Sequence, residues 1–128
     1  MKIKSEGLVL VVDDILDNRA LATAFLKKLG WNVLEADSGL AAVDILDKVL
    51  PSHILLDVRM PGFDGLSVAR YVKAAFVEQK PRIVGYTAHA LPDEIQNFLK
   101  SGFDAVLIKP ITYADISSEF GAANIEFC

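Results

Sequence analysis

Four apolar runs in this chain end on side chains that can do chemistry. Asp13-Asp14 follow Leu8–Val12, Asp57 follows Ile54–Leu56, Thr87 follows Arg82–Tyr86, and Lys109 follows Ala105–Ile108. A buried carboxylate costs several kcal/mol unless it is paired or metal-bound, so Asp57 must lie at an open edge or be held by cations. Brought together, the three carboxylates repel one another, and a divalent cation is their natural occupant. Ligands that are all oxygen, with room for water, suit Mg²⁺, and Mn²⁺ accepts the same set. Asp57 is then oriented as a nucleophile toward a phosphoryl group, forming an aspartyl phosphate. Thr87 can donate a hydrogen bond to a phosphoryl oxygen and Lys109 can pair with another as a point charge. Phosphoryl transfer needs little beyond such positioning and charge neutralisation.

The elements that must position these groups are legible from periodicity. The Val- and Leu-rich run Leu8–Val12 reads as a strand covered on both faces. Leu21, Ala24, Phe25 and Leu29 then fall at helical spacing, closed by Gly30. Residues 31–36 predict a second strand, followed by a helix that Ser38-Gly39 opens, with Leu40, Val43, Leu46 and Leu50 as its apolar positions and Pro51-Ser52 as its break. The strand ending on Asp57 precedes the turn residues Pro61-Gly62 and Asp64-Gly65, and Leu66, Ala69, Val72, Ala75 and Phe76 mark a third helix. Pro92 suits the first turn of a helix burying Ile95, Phe98 and Leu99 and stopping at Gly102. A last helix runs from Ile111 to about Phe120.

Five strands alternating with five helices at short spacing predict an α/β fold: a doubly wound, five-stranded parallel sheet, flavodoxin-like (βα)5. Right-handed crossovers favour strand order 2-1-3-4-5, and the ligand site of such a sheet lies beyond the strands' carboxyl ends, at the switch point between strands one and three. Those ends are where the acids, the hydroxyl and the ammonium stand.

A chain of 128 residues predicts a single domain, residues 1–128 with a core of about 7–120. Apolar residues make up 52% and charged residues 23%, a globular balance, and no apolar run approaches the roughly 18 residues of a membrane span. Met1-Lys2-Ile3-Lys4 starts no signal-peptide pattern, so a soluble, cytoplasmic protein is expected. A net charge of −4 without a Lys/Arg stripe argues against nucleic acid as a direct ligand. The single cysteine, Cys128, can form no internal disulfide, which fits a reducing compartment.

The motifs Val12-Asp13-Asp14, Leu56-Asp57-Val58-Arg59-Met60-Pro61-Gly62-Phe63-Asp64-Gly65, Thr87-Ala88 and Lys109-Pro110, in that order, resemble a receiver domain of a two-component response regulator. The resemblance extends from about Gly7 to Phe120. It implies that Asp57 accepts phosphate from a phosphohistidine on a histidine kinase or a histidine phosphotransfer domain. It implies that Asp14, Asp57 and the main-chain carbonyl of Arg59 bind Mg²⁺ directly, with Asp13 acting through a water. Thr87 and Lys109 would contact the phosphoryl group, and the Lys109-Pro110 bond would be cis. Such a domain is no turnover enzyme but promotes its own phosphorylation and dephosphorylation. Asp14-Ile15-Leu16-Asp17-Asn18-Arg19, Thr87-Ala88-His89-Ala90-Leu91 and Ser101-Gly102-Phe103-Asp104 resemble the receivers of hybrid kinases and phosphorelays. They favour exchange with a histidine phosphotransfer domain.

One position departs from the family. Three residues before the lysine the family often has an aromatic side chain that swings inward as the threonine moves; here the residue is Val106. The expectation is a domain that relays or stores phosphate and changes its strand-four to helix-five surface little. Arg59 and His89, two residues beyond Asp57 and Thr87, lie at the mouth of the site and are the expected tuners of acyl-phosphate lifetime.

The same residues admit other readings. Asp13 and Asp14 could cap the first helix, and Asp57 could be a turn residue. A Mg²⁺-dependent aspartyl-phosphate phosphatase like the haloacid dehalogenases would need an acid two residues after the nucleophile, where Arg59 stands. A flavodoxin-type FMN binder would need a Ser/Thr/Gly-rich loop in place of Asp13-Asp14-Ile15-Leu16-Asp17. A degenerate receiver serving only as an interaction module would not need the full acidic, Thr and Lys set. His53 reads as a surface residue, Trp31 as packing the first helix against the second strand, and Asn18, Ala22 and Phe25 as a docking face for a phosphotransfer helix.

Overall fold

The structure, a computed structural model, describes residues 4–123. The readings that rest on Met1-Lys2-Ile3 and on Cys128 lie outside those residues. The elements are β1 (Lys4–Val12), α1 (Leu16–Lys28), β2 (Asn32–Ala36), α2 (Gly39–Leu46), β3 (Leu50–Asp57), α3 (Gly65–Ala75), β4 (Arg82–Thr87), α4 (Pro92–Lys100), β5 (Ala105–Ile108) and α5 (Tyr113–Phe120). The five strands pair in parallel in the order β2-β1-β3-β4-β5, the expected topology.

Period-two alternation divides the strands' side chains between two cores. Leu10 and Val12 of β1 and Ile54 and Leu56 of β3 pack with Leu46 of α2, Val68 and Val72 of α3 and Phe98 of α4. On the other face Val9, Val11, Leu55 and Val84 pack with Ala22 and Leu26 of α1 and Ile116 and Phe120 of α5. Because both faces are covered, the central strands read as continuous apolar runs.

Several details correct the sequence reading. Leu50 is not a helix position: α2 ends at Leu46, and β3 already begins at Leu50 and contains Pro51 and Ser52. Pro51 is tolerated because β4 pairs with β3 only from His53 onward, so at Pro51 the strand has β1 alone as neighbour. In α1 the buried residues are Ala22, Thr23 and Leu26, while Leu21 is exposed. Ala24 is exposed too, whereas Phe25 and Leu29 pack partly buried against the same core, so packing against β1 and α5 centres the inward face on Ala22 and Leu26. Ala22, expected on an exposed docking face, is fully buried for the same reason. In α4 only Phe98 is buried, and Leu99 lies on the outer face.

His53 is half-buried rather than on the surface. Its ring lies 4.6 Å from that of Trp31 and 5.6 Å from that of Phe120, and Nδ1 is 2.9 Å from the Ser52 hydroxyl. Burial first, and then the charge of Arg82, holds its pKa below the usual imidazole value. Trp31 reaches further than the first helix and second strand: its indole N–H donates to the Gly121 carbonyl at 2.9 Å, fastening the end of α5.

Candidate functional site

The sheet register delivers the reactive groups side by side. Val12 pairs with Leu56, Asp57 with Tyr86, and Thr87 with Ile108, so Asp13, Asp57, Thr87 and Lys109 emerge along one edge. The loop after β1 is fixed by its backbone and by Arg19. Asp13 N–H donates to the Ala36 carbonyl at 3.2 Å, and Arg19 donates through Nη1 to the Asp13 carbonyl at 2.9 Å while its Nε pairs with Glu35. The loop after β3 is held by Val58 N–H on the Tyr86 carbonyl at 3.0 Å and by Gly65 N–H on the Val58 carbonyl at 3.2 Å. Lys109 N–H donates to the Thr87 carbonyl at 2.8 Å, and the Lys109-Pro110 peptide is cis.

Within this frame Asp13 is fully buried and Asp57 nearly so, whereas Asp14 is exposed. One oxygen from each of the three carboxylates falls within 4.8 Å of the others. Lys109 Nζ stands between two of them, 3.2 Å from Asp13 Oδ2 and 3.4 Å from Asp57 Oδ2. Burial, and then the neighbouring Asp13 charge, pushes the Asp57 pKa up to about 6; Lys109 and the Arg59 N–H, 3.1 Å from Asp57 Oδ1, act in the opposite direction and do not win. Burial and a second carboxylate together therefore outweigh the single ammonium, and further positive charge is what the cluster calls for. The donors are all oxygen and none is His or Cys, so they fit a hard divalent cation such as Mg²⁺ rather than zinc.

Thr87 is buried, and its hydroxyl donates to the His89 carbonyl at 3.2 Å, closing a turn at the mouth of the site. The His89 side chain is exposed. Arg59 is also exposed, and its guanidinium pairs with Glu94, which in turn accepts from Leu91 N–H at the start of α4. Val106 pairs with Gly85 in the sheet and packs against the core beneath α4. Neither Asp13 nor Asp14 is the N-cap of α1. That position is Ile15, without a side-chain cap; Asp13 Oδ1 instead accepts from Ile15 N–H at 2.9 Å and braces the turn ahead of the helix.

Tyr86 was missed in the sequence, where it read as one more residue of a buried strand. It is fully buried, its hydroxyl donates to Asp13 Oδ2 at 2.6 Å, and its ring lies 4.6 Å beneath the Lys109 ammonium. The available signal was chemical: a tyrosine at the end of a core strand needs a partner for its hydroxyl.

Comparison with known proteins agrees with this geometry. A sequence model of the response regulator receiver domain matches residues 9–120. The chain is 36% identical over 107 residues to the sensor protein GacS of Pseudomonas syringae pv. syringae, an overlap of 81% of this chain and 12% of GacS. It is 32% identical over 108 residues to sporulation initiation phosphotransferase F of Bacillus subtilis (strain 168), covering 84% of this chain and 86% of that one. The receiver domain of sensor histidine kinase PA1611 from Pseudomonas aeruginosa PAO1, solved with a magnesium ion coordinated in its active site cleft, superposes with a TM-score of 0.79 at 30% identity, covering 90% of this chain and 94% of that one. The chain thus spans about an eighth of GacS and nearly the full length of the sporulation phosphotransferase. Among the described residues no helix is long and apolar enough to cross a membrane.

Proposed function

The chain belongs to the response regulator receiver domain family, and from that premise we propose that Asp57 is its phospho-acceptor, taking phosphate from a phosphohistidine and passing it on in a phosphorelay. The observation that carries this reading is the pairing of a buried, charge-starved Asp57 with Lys109 and Asp13 at the carboxyl edge of the sheet. An Asp57 carboxylate oxygen attacks phosphorus, the N–P bond of the phosphohistidine breaks, and the electron pair leaves with the imidazole nitrogen. Relay to a second histidine reverses these steps on a new imidazole. Lys109 shifts from the Asp57 carboxylate to the phosphoryl oxygens, and Thr87 turns its hydroxyl from the His89 carbonyl to the same group. Asp14, Asp57 and the Arg59 carbonyl would hold Mg²⁺, with Asp13 acting through a water. The bound cation would neutralise phosphoryl charge as it develops.

Relatives that are a sensor protein, a sensor histidine kinase and a sporulation phosphotransferase support a histidine kinase or a histidine phosphotransfer domain as the partner. The phosphatase alternative gains nothing from the site: Arg59, where the general acid would stand, is turned to Glu94.

The test is intact-mass spectrometry after incubation with phosphoramidate or acetyl phosphate. A single phosphoryl adduct is expected with Mg²⁺ and not with chelator, mapped to Asp57 after borohydride reduction. An adduct elsewhere, or uptake indifferent to the cation, would overturn the reading.

Val106 carries a second expectation. With Val106 three residues before Lys109, no aromatic rotamer switch is available at that site, so phosphorylation or beryllofluoride should shift amide resonances around Asp13, Asp57 and Thr87 far more than those of α4 and α5. Shifts of equal size on both would sink the relay-without-switch idea.

A further inference from the structure

We propose that Tyr86 is a positioning residue for phosphoryl transfer: its hydroxyl, by sharing Asp13 Oδ2 with Lys109, leaves the lysine free to move to the phosphoryl group on Asp57. The inference rests on Asp57 being the phospho-acceptor.

The geometry points there because one oxygen serves two donors. Asp13 Oδ2 accepts from the Tyr86 hydroxyl at 2.6 Å and from Lys109 Nζ at 3.2 Å, while Oδ1 is already engaged by Ile15 N–H. A short hydrogen bond to a carboxylate draws charge from that oxygen, so the pull of Asp13 on the ammonium weakens. Lys109 is accordingly left nearly midway, 3.4 Å from Asp57 Oδ2. The Tyr86 ring also floors the ammonium at 4.6 Å, a cation–π contact that favours its position over the cleft.

Sheet register makes the arrangement rigid. Tyr86 pairs directly with Asp57, and its carbonyl accepts the Val58 N–H, so the residue that supplies the hydroxyl is fixed to the strand that supplies the nucleophile. Thr87, next along β4, alternates to the other face, with its hydroxyl now on the His89 carbonyl and, on the proposed reading, turned to the phosphoryl group in transfer. One strand end therefore carries both a phosphoryl contact and a brace for the acid behind it. Without the hydroxyl, Asp13 would keep Lys109 as its only partner at Oδ2 and hold it away from Asp57.

Tyr86→Phe removes the hydroxyl and keeps the ring. At saturating Mg²⁺ and phosphoramidate the phosphorylation rate constant is expected to fall about three- to tenfold, the range set by losing part of one charge-assisted hydrogen bond. The donor concentration giving half-maximal rate should stay within about twofold, because the donor's entry is not touched; the comparison is made at saturating Mg²⁺ because Tyr86 bonds Asp13, which would act on the cation through a water. A merely structural role would instead lower the melting temperature and leave the rate constant of the folded fraction unchanged. A variant that phosphorylates as fast as wild type when folded overturns the inference, as does one whose loss lies wholly in half-saturation. If wild-type protein itself takes up no phosphate, the reading of Asp57 fails, and this inference with it.

Discussion

Asp57→Asn is expected to abolish phosphoryl uptake and, at the same time, to make the metal-free protein more stable at neutral pH. The first effect follows from removing the nucleophile: an amide oxygen has no charge with which to attack phosphorus. The second follows from the raised pKa of Asp57, which moves from an ordinary 3.8 in the unfolded chain to about 6 in the folded protein. Between these values the folded state holds a proton that the unfolded chain has released, so stability falls as pH rises from about 4 to about 6 and stays low above that. Asparagine carries no such penalty. Its advantage is on the order of 1–3 kcal/mol at pH 8, absent near pH 4, and equivalent to several degrees of melting temperature.

A Mg²⁺ ion held by the proposed ligands would supply the missing charge to the wild type and not equally to the variant, so the gap between them should narrow as the cation is added. Thermal melts at pH 4 and pH 8, with chelator and with Mg²⁺, measure all four corners. An Asn variant that melts below wild type in chelator at pH 8 would show that Lys109 outweighs burial and Asp13, reversing the electrostatic account of the site.

Gly65→Ala should cost about 3 kcal/mol or more and slow phosphorylation of whatever folds. Gly65 opens α3, directly behind the loop that carries the nucleophile. A methyl group there would overlap the Asp57 carbonyl and the Val58 Cα, and both are backbone that cannot swing aside. Relief requires α3 to withdraw or Asp57 to move, and the second displaces the carboxylate from Lys109. Gly62, three residues earlier, is the natural control. It has a φ of 72° but nothing within 4 Å of the same methyl, so Gly62→Ala should cost only the left-handed backbone, about 1–2 kcal/mol. Chemical denaturation of the two variants orders them; Gly62→Ala as the more damaging change would refute a steric role for Gly65.

The sequence alone determined the wound sheet and the acids at its edge. Leu8–Val12, Ile54–Leu56 and Ala105–Ile108 are unbroken apolar runs because both faces of a parallel sheet are covered, and a charged residue closing such a run has to sit at the sheet's open end or be held there by opposite charge, as Lys109 holds Asp13 and Asp57. That logic fixes which residues reach the site, since in this topology every strand's carboxyl end lies on the same edge. It does not fix which face of an amphipathic helix turns inward. Leu21, Phe25 and Leu29 lie at helical spacing just as Ala22 and Leu26 do, and packing against β1 and α5 turns Ala22 and Leu26 fully inward, leaves Phe25 and Leu29 partly buried against the same core, and leaves Leu21 exposed. Nor does it show where a strand begins: Leu50 and Pro51 look like the end of a helix until β1 pairs with them.

The site's inner contacts were decided by tertiary structure for a similar reason. Tyr86 and Asp13 are far apart in sequence, and neither position carries a local signal that the other is its partner. Only the placing of β4 beside β3, with β1 on its far side, brings the phenol to the carboxylate and the Lys109 ammonium above both. Periodicity and strand-end chemistry are properties of neighbours along the chain. The sharing of one carboxylate oxygen between two donors belongs to neighbours across the sheet, and it exists only once the sheet has formed.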